Sequence, residues 1–398
     1  MDQHKEIYQE IQWEDAGIWF ISDEYGFKIL AKFPSNVIRS LLNGCRMEFL
    51  FGKDNQGAKT FFHTGARIFD DNNRPCIITQ PSRFKREYTG LERILKEEEV
   101  IIEFFDELVT CSATAELKIA KEDRISNLHF INDMSKFYIG DFTESLNLSL
   151  DSFVYSIDSS LKTANSYKID VRNIPCEIKN WKIINKSFIG FSDVQKVNIS
   201  DKNEGGVFEK QIWFSIESIF SSDAYLNPIV HQDTKSRELT DILAFYKYGI
   251  FLIETKALGV LNIDKGQSME RKVANIKKQI KTGIKQLVGA HKNIKRNLPI
   301  FSNSGMPVNL DNSLIAHCIV LVSELLPFGD WKDVEQDILL AMLNERIYIH
   351  VMDFQEFIRY VKVSDGKKER FDYFLMQRVE QFVQEGGKVQ MKTKFIME

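Results

Sequence analysis

The chain has no Cys-x-x-Cys pair, no apolar run of the roughly 18 residues a membrane span needs, and only eight prolines in 398 residues. Its five cysteines (Cys45, Cys76, Cys111, Cys176, Cys318) are scattered and odd in number. That excludes a zinc ribbon, argues against a disulfide framework and points to a reducing, cytoplasmic setting. The N-terminal "MDQHKEIYQEIQWEDAG" lacks the apolar core of a signal peptide, so neither secretion nor a membrane is expected. A net charge of −4 withholds the basic excess of a general nucleic-acid binder, although a local patch can hide in a neutral average. What is present is a globular composition: 43% hydrophobic residues, 27% charged residues and thirty phenylalanines, enough for a sizeable packed core.

The texture changes once along the chain. Residues 1–199 read as a β-rich α+β region. The runs "GIWFIS", "GFKILAKF", "RMEFLF", "PCIIT" and "VIIEFF" are separated by turn-like groups, with short helices at "PSNVIRSLLNG" and "YTGLERILKEEE". Further strands are expected at "FYIGDF", "SLDSFVYSI", "YKIDV" and "WKIINKSFIGF". The polar, Gly-rich "SDKNEGG" (Ser200–Gly206) is the expected boundary. Residues 207–398 read as α/β: helices flanking a small mixed sheet, with a long basic helix from about Met269 to Arg296.

Within that second region "TDILAFYKYGIFLIETKAL" (Thr240–Leu258) places Asp241, Glu254 and Lys256 among apolar and β-branched residues. Unpaired charges in a buried sheet cost several kcal/mol or more, so these three need compensation. "YKYG" is a turn signal, and any even loop there opposes Asp241 to Glu254, on the face that also carries Lys256. Opposed carboxylates repel, and a divalent cation bound between them removes the repulsion. On that reading, removing either carboxylate from the metal-free protein raises its stability. The bland alternative is a structural ion-pair cluster at a sheet edge.

An Asp followed on the next strand by Glu-x-Lys resembles the PD-(D/E)xK, or restriction-endonuclease-like, nuclease superfamily. The resemblance covers about Val207–Glu398. It implies a restriction-endonuclease-like core with catalytic Asp241, Glu254 and Lys256, a third carboxylate at Glu209 in "GGVFE", and an auxiliary Gln286 in "IKQL". Thr240 stands where many members have proline, and Ala290 where the RecB-type variant has tyrosine. Asp241, Glu254 and Glu209 would then hold Mg²⁺ or Mn²⁺, with DNA as the implied substrate. A nuclease core behind a variable front region is similar to the layout of Shedu-type antiphage defence nucleases. That similarity implies a homo-oligomeric antiviral effector restrained by its N-terminal region. An inactive nuclease fold that only binds DNA, an RNase and a DNA-repair nuclease are the alternatives.

The long helix has an apolar stripe (Ile276, Ile280, Ile284, Leu287, Ile294), with lysines on its other faces. Beside a phosphodiesterase-like hairpin, Lys278, Lys281, Lys285 and Lys292 are expected to contact DNA. His317, inside "IAHCIVLV", reads as a core histidine.

Overall fold

A computed structural model describes every residue except 1–2, 24–25, 72–73, 191–193, 233–234, 261–268, 392–394 and 396–398. The "DKGQS" that opens the basic segment therefore lies outside the described residues, as do Phe191 and two asparagines of the "DDNNRP" turn. The chain divides into two compact units, Met1–Ile184 and Asn185–Ile263 with Gln267–Glu398.

The first unit runs α1 (Gln3–Trp13), β1 (Gly17–Asp23), β2 (Gly26–Lys32), α2 (Ser35–Leu42), β3 (Met47–Gln56), β4 (Lys59–Ile68), β5 (Cys76–Ser82), α3 (Lys85–Ile94), β6 (Glu99–Phe105), β7 (Cys111–Lys118), α4 (Lys121–Phe130), α5 (Glu144–Ile157) and β8 (Asp170–Ile183). Among the described residues its strands form one eight-stranded sheet, ordered β1-β2-β6-β7-β8-β3-β4-β5 and parallel only between β2 and β6. The end strands β1 and β5 are joined by a side chain. Gln80 accepts from the Ile18 N–H (2.8 Å) and donates to the Ile18 carbonyl (2.6 Å), satisfying edge groups that would otherwise be open. Phe20 packs edge-on against Phe49 and Phe51 in the core. Gly52 is required on the sheet, because a Cβ there would lie 2.3 Å from the ring of Phe153 on α5.

Two expected strands of this unit are not strands. "SLDSFVYSI" lies in α5, which Thr143 caps by accepting from the Leu146 N–H (3.1 Å). Its buried positions Leu146, Ser149, Ser152 and Phe153 recur at helical spacing, and two of its serines bond back to carbonyls four residues earlier. "FYIGDF" makes a single isolated bridge, Thr60 to Phe137.

The second unit runs β9 (Lys186–Ile189), β10 (Val194–Val197), α6 (Glu204–Phe220), β11 (Ala224–Leu226), β12 (Ile229–Gln232), β13 (Lys235–Glu238), β14 (Ile242–Tyr246), β15 (Gly249–Lys256), α7 (Met269–Lys295), β16 (Ile300–Phe301), β17 (Ile315–Val322), α8 (Lys332–Glu345), β18 (Tyr348–Asp353), α9 (Phe354–Ser364) and α10 (Lys368–Gln384). It is a mixed α/β unit. Its main sheet is ordered β11-β14-β15-β17-β18, antiparallel as far as β15 and parallel from β15 to β18. Strands β15 and β17 are covered on both faces, which is why they read as near-continuous apolar runs. On one face Ile276, Ile280, Ile284 and Leu287 of α7 and Val334 and Ile338 of α8 pack on Leu252, Val320 and Val351. On the other, Phe220 of α6 and Phe371 of α10 meet Phe251 at 5.0 and 5.5 Å. A second sheet, β13-β12-β16, lies beside the entry to β14.

The division between units falls at Ile184, ahead of "SDKNEGG". The polarity of that stretch serves helix capping. Asn203 accepts from the Gly206 N–H (3.1 Å), and Glu204, buried at 3% exposure, accepts from the Val260 N–H (2.8 Å). The β9–β10 hairpin belongs with α6, Phe188 lying 4.2 Å from Phe214 between ring centroids. Among the described residues no helix is long and apolar enough to cross a membrane, and all five cysteines are free thiols.

A fragment beginning at Asn185 should therefore melt cooperatively, and one beginning at Ser200 should melt about 3–8 °C lower, having lost the Phe188 contact. Thermal unfolding followed by circular dichroism checks this; equal midpoints would place the hairpin outside the second unit.

Candidate active site

The turn between β14 and β15 is the two-residue Lys247–Tyr248, with Tyr246 paired to Gly249 and Ile242 to Ile253. Continued one step further, the same register would set Asp241 opposite Glu254. Asp241 stands just before β14, outside the regular pleat. Its Oδ2 accepts from the Thr255 N–H (2.6 Å) and the Thr255 hydroxyl (2.8 Å), while its carbonyl accepts from the Asn227 N–H (2.8 Å). Next to it, the Thr240 hydroxyl donates to the Ile253 carbonyl (2.8 Å). The carboxylate thus closes the open end of the hairpin. Deleting it would leave a backbone N–H unpaired, at about 1–3 kcal/mol, so removing Asp241 is destabilising rather than the relief expected from repulsion alone.

Glu254, 2% exposed, points to the α7 side and pairs through Oε2 with Lys256 Nζ at 2.8 Å. Gly283 lets α7 approach: a Cβ there would lie 2.9 Å from a Val320 methyl and 3.6 Å from Lys256 Cε. Burial raises the Glu254 carboxyl and the charge of Asp241 adds to it, while Lys256 opposes both. Glu209, half-buried on α6, is likewise raised by burial and by Asp241, against a hydrogen bond with Asn227 and the charge of Lys256. The structure therefore gathers Glu209, Asp241, Glu254 and Lys256 into one electrostatic cluster.

A fourth carboxylate belongs to it. Glu238, at the end of β13, is pushed up to about 7 by partial desolvation, by the charges of Asp241 and Glu209, by a hydrogen bond with Asp241 and by Glu254. In the sequence, counting by twos puts Glu238 on the opposite face from Asp241. The count fails because β13 ends at Glu238 in a different sheet, and the chain turns through Leu239–Asp241 before β14 begins.

Gln286 lines a cavity of about 390 Å³ together with Glu254, Arg237, Lys285, Gly289 and Asn293. Sequence reasoning does not find Arg237 or Asn293, whose juxtaposition depends on the second sheet. The other basic positions diverge. Lys281 pairs with Asp333 (2.8 Å) and Asp337 (3.3 Å), and Lys292 with Glu345 (2.9 Å), so both are engaged with α8. Lys278 and Lys285 are exposed and form no ion pair among the described residues. His317 is in the core, on the other face of the sheet, 2.9 Å from Asp372.

Among the described residues no three Asp, Glu, His or Cys side chains stand close enough together to hold a metal ion as they are. By chemistry the donor set suits a hard dication: four carboxyls gather about Lys256, and the crowding is met by raised carboxyls at Glu209, Glu238 and Glu254. No family model, curated protein or solved structure matches the chain.

The raised carboxyl of Glu238 sets the sign of a pH effect. Its folded value near 7 lies above the ordinary 4.5, so its contribution to stability is complete below about 4.5 and lost as pH rises through 7. Metal-free Glu238→Gln should melt above the native chain at pH 8 and together with it at pH 4. A difference that does not change with pH would remove Glu238 from the cluster.

Proposed function

We propose that the second unit is a PD-(D/E)xK-type core that hydrolyses phosphodiester bonds in DNA with Mg²⁺ or Mn²⁺. The observation that carries this reading is the hairpin, which leaves Asp241 one step beyond the Ile242–Ile253 pair and bonded to Thr255, between Glu254 and Lys256, under a helix that brings Gln286 to the cavity lined by Glu254. The mixed five-stranded sheet between helices supports it as well.

A dication held by Asp241, Glu254 and Glu209 would polarise a phosphoryl oxygen and acidify a water. Lys256 carries an ammonium into the cluster and would stabilise charge developing on the phosphoryl group. To do so it exchanges its pairing with Glu254 for one with substrate. Gln286 offers an amide for orienting a phosphate or a water, and Glu238 supplies a carboxyl that holds a proton near neutrality.

A second reading is a DNA-binding protein that keeps the fold without the chemistry. The Glu254–Lys256 pair favours it, because both groups satisfy one another without a metal. Incubation with linear, circular and single-stranded DNA and with RNA, in Mg²⁺, Mn²⁺ or EDTA, separates the two. Asp241→Asn retains an oxygen for Thr255, and together with Glu254→Gln and Lys256→Met it should lower cleavage at least about 100-fold with the fold kept. Native rates in all three variants would end the nuclease reading.

The ion pairs also divide the basic residues. Charge reversal of Lys278 and Lys285 together should reduce the slope of log affinity for DNA against log salt by about 2. Lys281→Ala and Lys292→Ala should instead leave the slope in place and lower the melting temperature slightly. Salt titrations of DNA binding measure the first, and an unchanged slope would turn this face of α7 away from DNA.

A further inference from the structure

The cavity beside the carboxylate cluster is lined by two cations, Arg237 and Lys285, that form no ion pair among the described residues. Arg237 donates to Asn293 Oδ1 at 3.3 Å, a contact with a neutral group. The carboxylates in the lining are otherwise engaged, Glu254 with Lys256 and Glu238 with Asp241. At about 390 Å³ the space falls in the range of small-ligand sites, larger than a lone phosphate needs. Gly289 lines it from mid-helix, where a Cβ would meet nothing within 4 Å. Glycine in a helix interior costs about 1 kcal/mol against alanine, and here it keeps the cavity open.

We propose that this cavity is a nucleotide subsite, in which Arg237 and Lys285 hold the phosphate of one nucleotide while its sugar and base lie over Gly289. An arginine fork and a lysine point charge are the side chains suited to a phosphate, and Asn293 holds the arginine in place without cancelling its charge. The proposal rests on the phosphodiesterase reading and deepens it. The strand enters the site by lodging one nucleotide next to Glu254 and Gln286, so a nucleotide free of its duplex partner is the form admitted.

The test titrates the full chain with dAMP and, separately, with deoxyadenosine, by calorimetry in Mg²⁺; dAMP has no diester to cleave. We expect saturable binding of dAMP, at least about tenfold weaker binding of deoxyadenosine, and a loss of about tenfold or more for dAMP in the Arg237→Ala, Lys285→Ala double variant. Gly289→Leu should abolish dAMP binding while melting at or above the native temperature, which separates a filled cavity from a damaged fold. Equal binding of nucleotide and nucleoside, no binding of either, or native dAMP binding in Gly289→Leu would overturn the subsite. DNA cleavage by the native chain read alongside keeps the two ideas apart. Gly289→Leu with native cleavage and native dAMP binding removes the subsite and leaves the nuclease reading. A native chain that binds dAMP but cleaves nothing does the reverse.

Discussion

The second unit depends on one carboxylate that does two jobs. Asp241 accepts two hydrogen bonds from Thr255 across the open end of the β14–β15 hairpin, and so fixes the register that presents Glu254 and Lys256. A strand slipped by one residue would carry Glu254 to the opposite face, among the phenylalanines of α6 and α10. The carboxylate at the centre of the cluster is thus also the device that holds the sheet in register. The same fact explains why an acidic residue tolerates a place beside three other carboxylates. Two donors from Thr255 satisfy its Oδ2, and the crowding raises the carboxyls of Glu209, Glu238 and Glu254.

Helix α7 divides its surface into three faces with different partners. Its isoleucines cover Leu252 and Val320, and Gly283 brings it down onto Lys256. A second face meets acidic residues of α8 through Lys277, Lys281 and Lys292. Only the third, with Lys278, Lys285, Gln286 and Gly289, looks outward or into the cavity. A net charge of −4 is compatible with an anion-binding site for this reason. Acidic residues of α8 pair with Lys277, Lys281 and Lys292, while Arg237 and Lys285 form no ion pair among the described residues.

The parts that could be read from the sequence are those governed by local arithmetic. The turn at "YKYG" yielded the two-residue hairpin that pairs Ile242 with Ile253, and the isoleucine stripe yielded α7 nearly to the residue. The failures occur where a neighbour remote in the chain decides. Glu238 joins the cluster because β13 leaves its own sheet at that residue. Lys281 and Lys292 turn to α8 because Asp333, Asp337 and Glu345 lie there, which spacing along α7 cannot register. In the first unit α5 hid its period because its buried face includes serines, whose hydroxyls are satisfied by the helix's own carbonyls. The "SDKNEGG" stretch was polar for capping rather than for linking.

The far end of the same hairpin has a pin of its own. Tyr246, next to the turn, donates its hydroxyl to Asp372 of α10, and Asp372 also receives His317 Nε2 at 2.9 Å. His317 Nδ1 lies 3.0 Å from His350 Nε2, which carries the chain of contacts from β14 through β17 to β18. Burial, and then the neighbouring His317 and Arg378, hold His350 well below its ordinary value. A slip of two residues would keep every side chain on its own face and so escape the hydrophobic penalty. It would nevertheless part Tyr246 from Asp372 at one end and Asp241 from Thr255 at the other. Apolar packing chooses the face, and the two polar pins choose the register within it. Of the two, the pin at the open end is the one that stands beside the carboxyls of Glu209, Glu238 and Glu254.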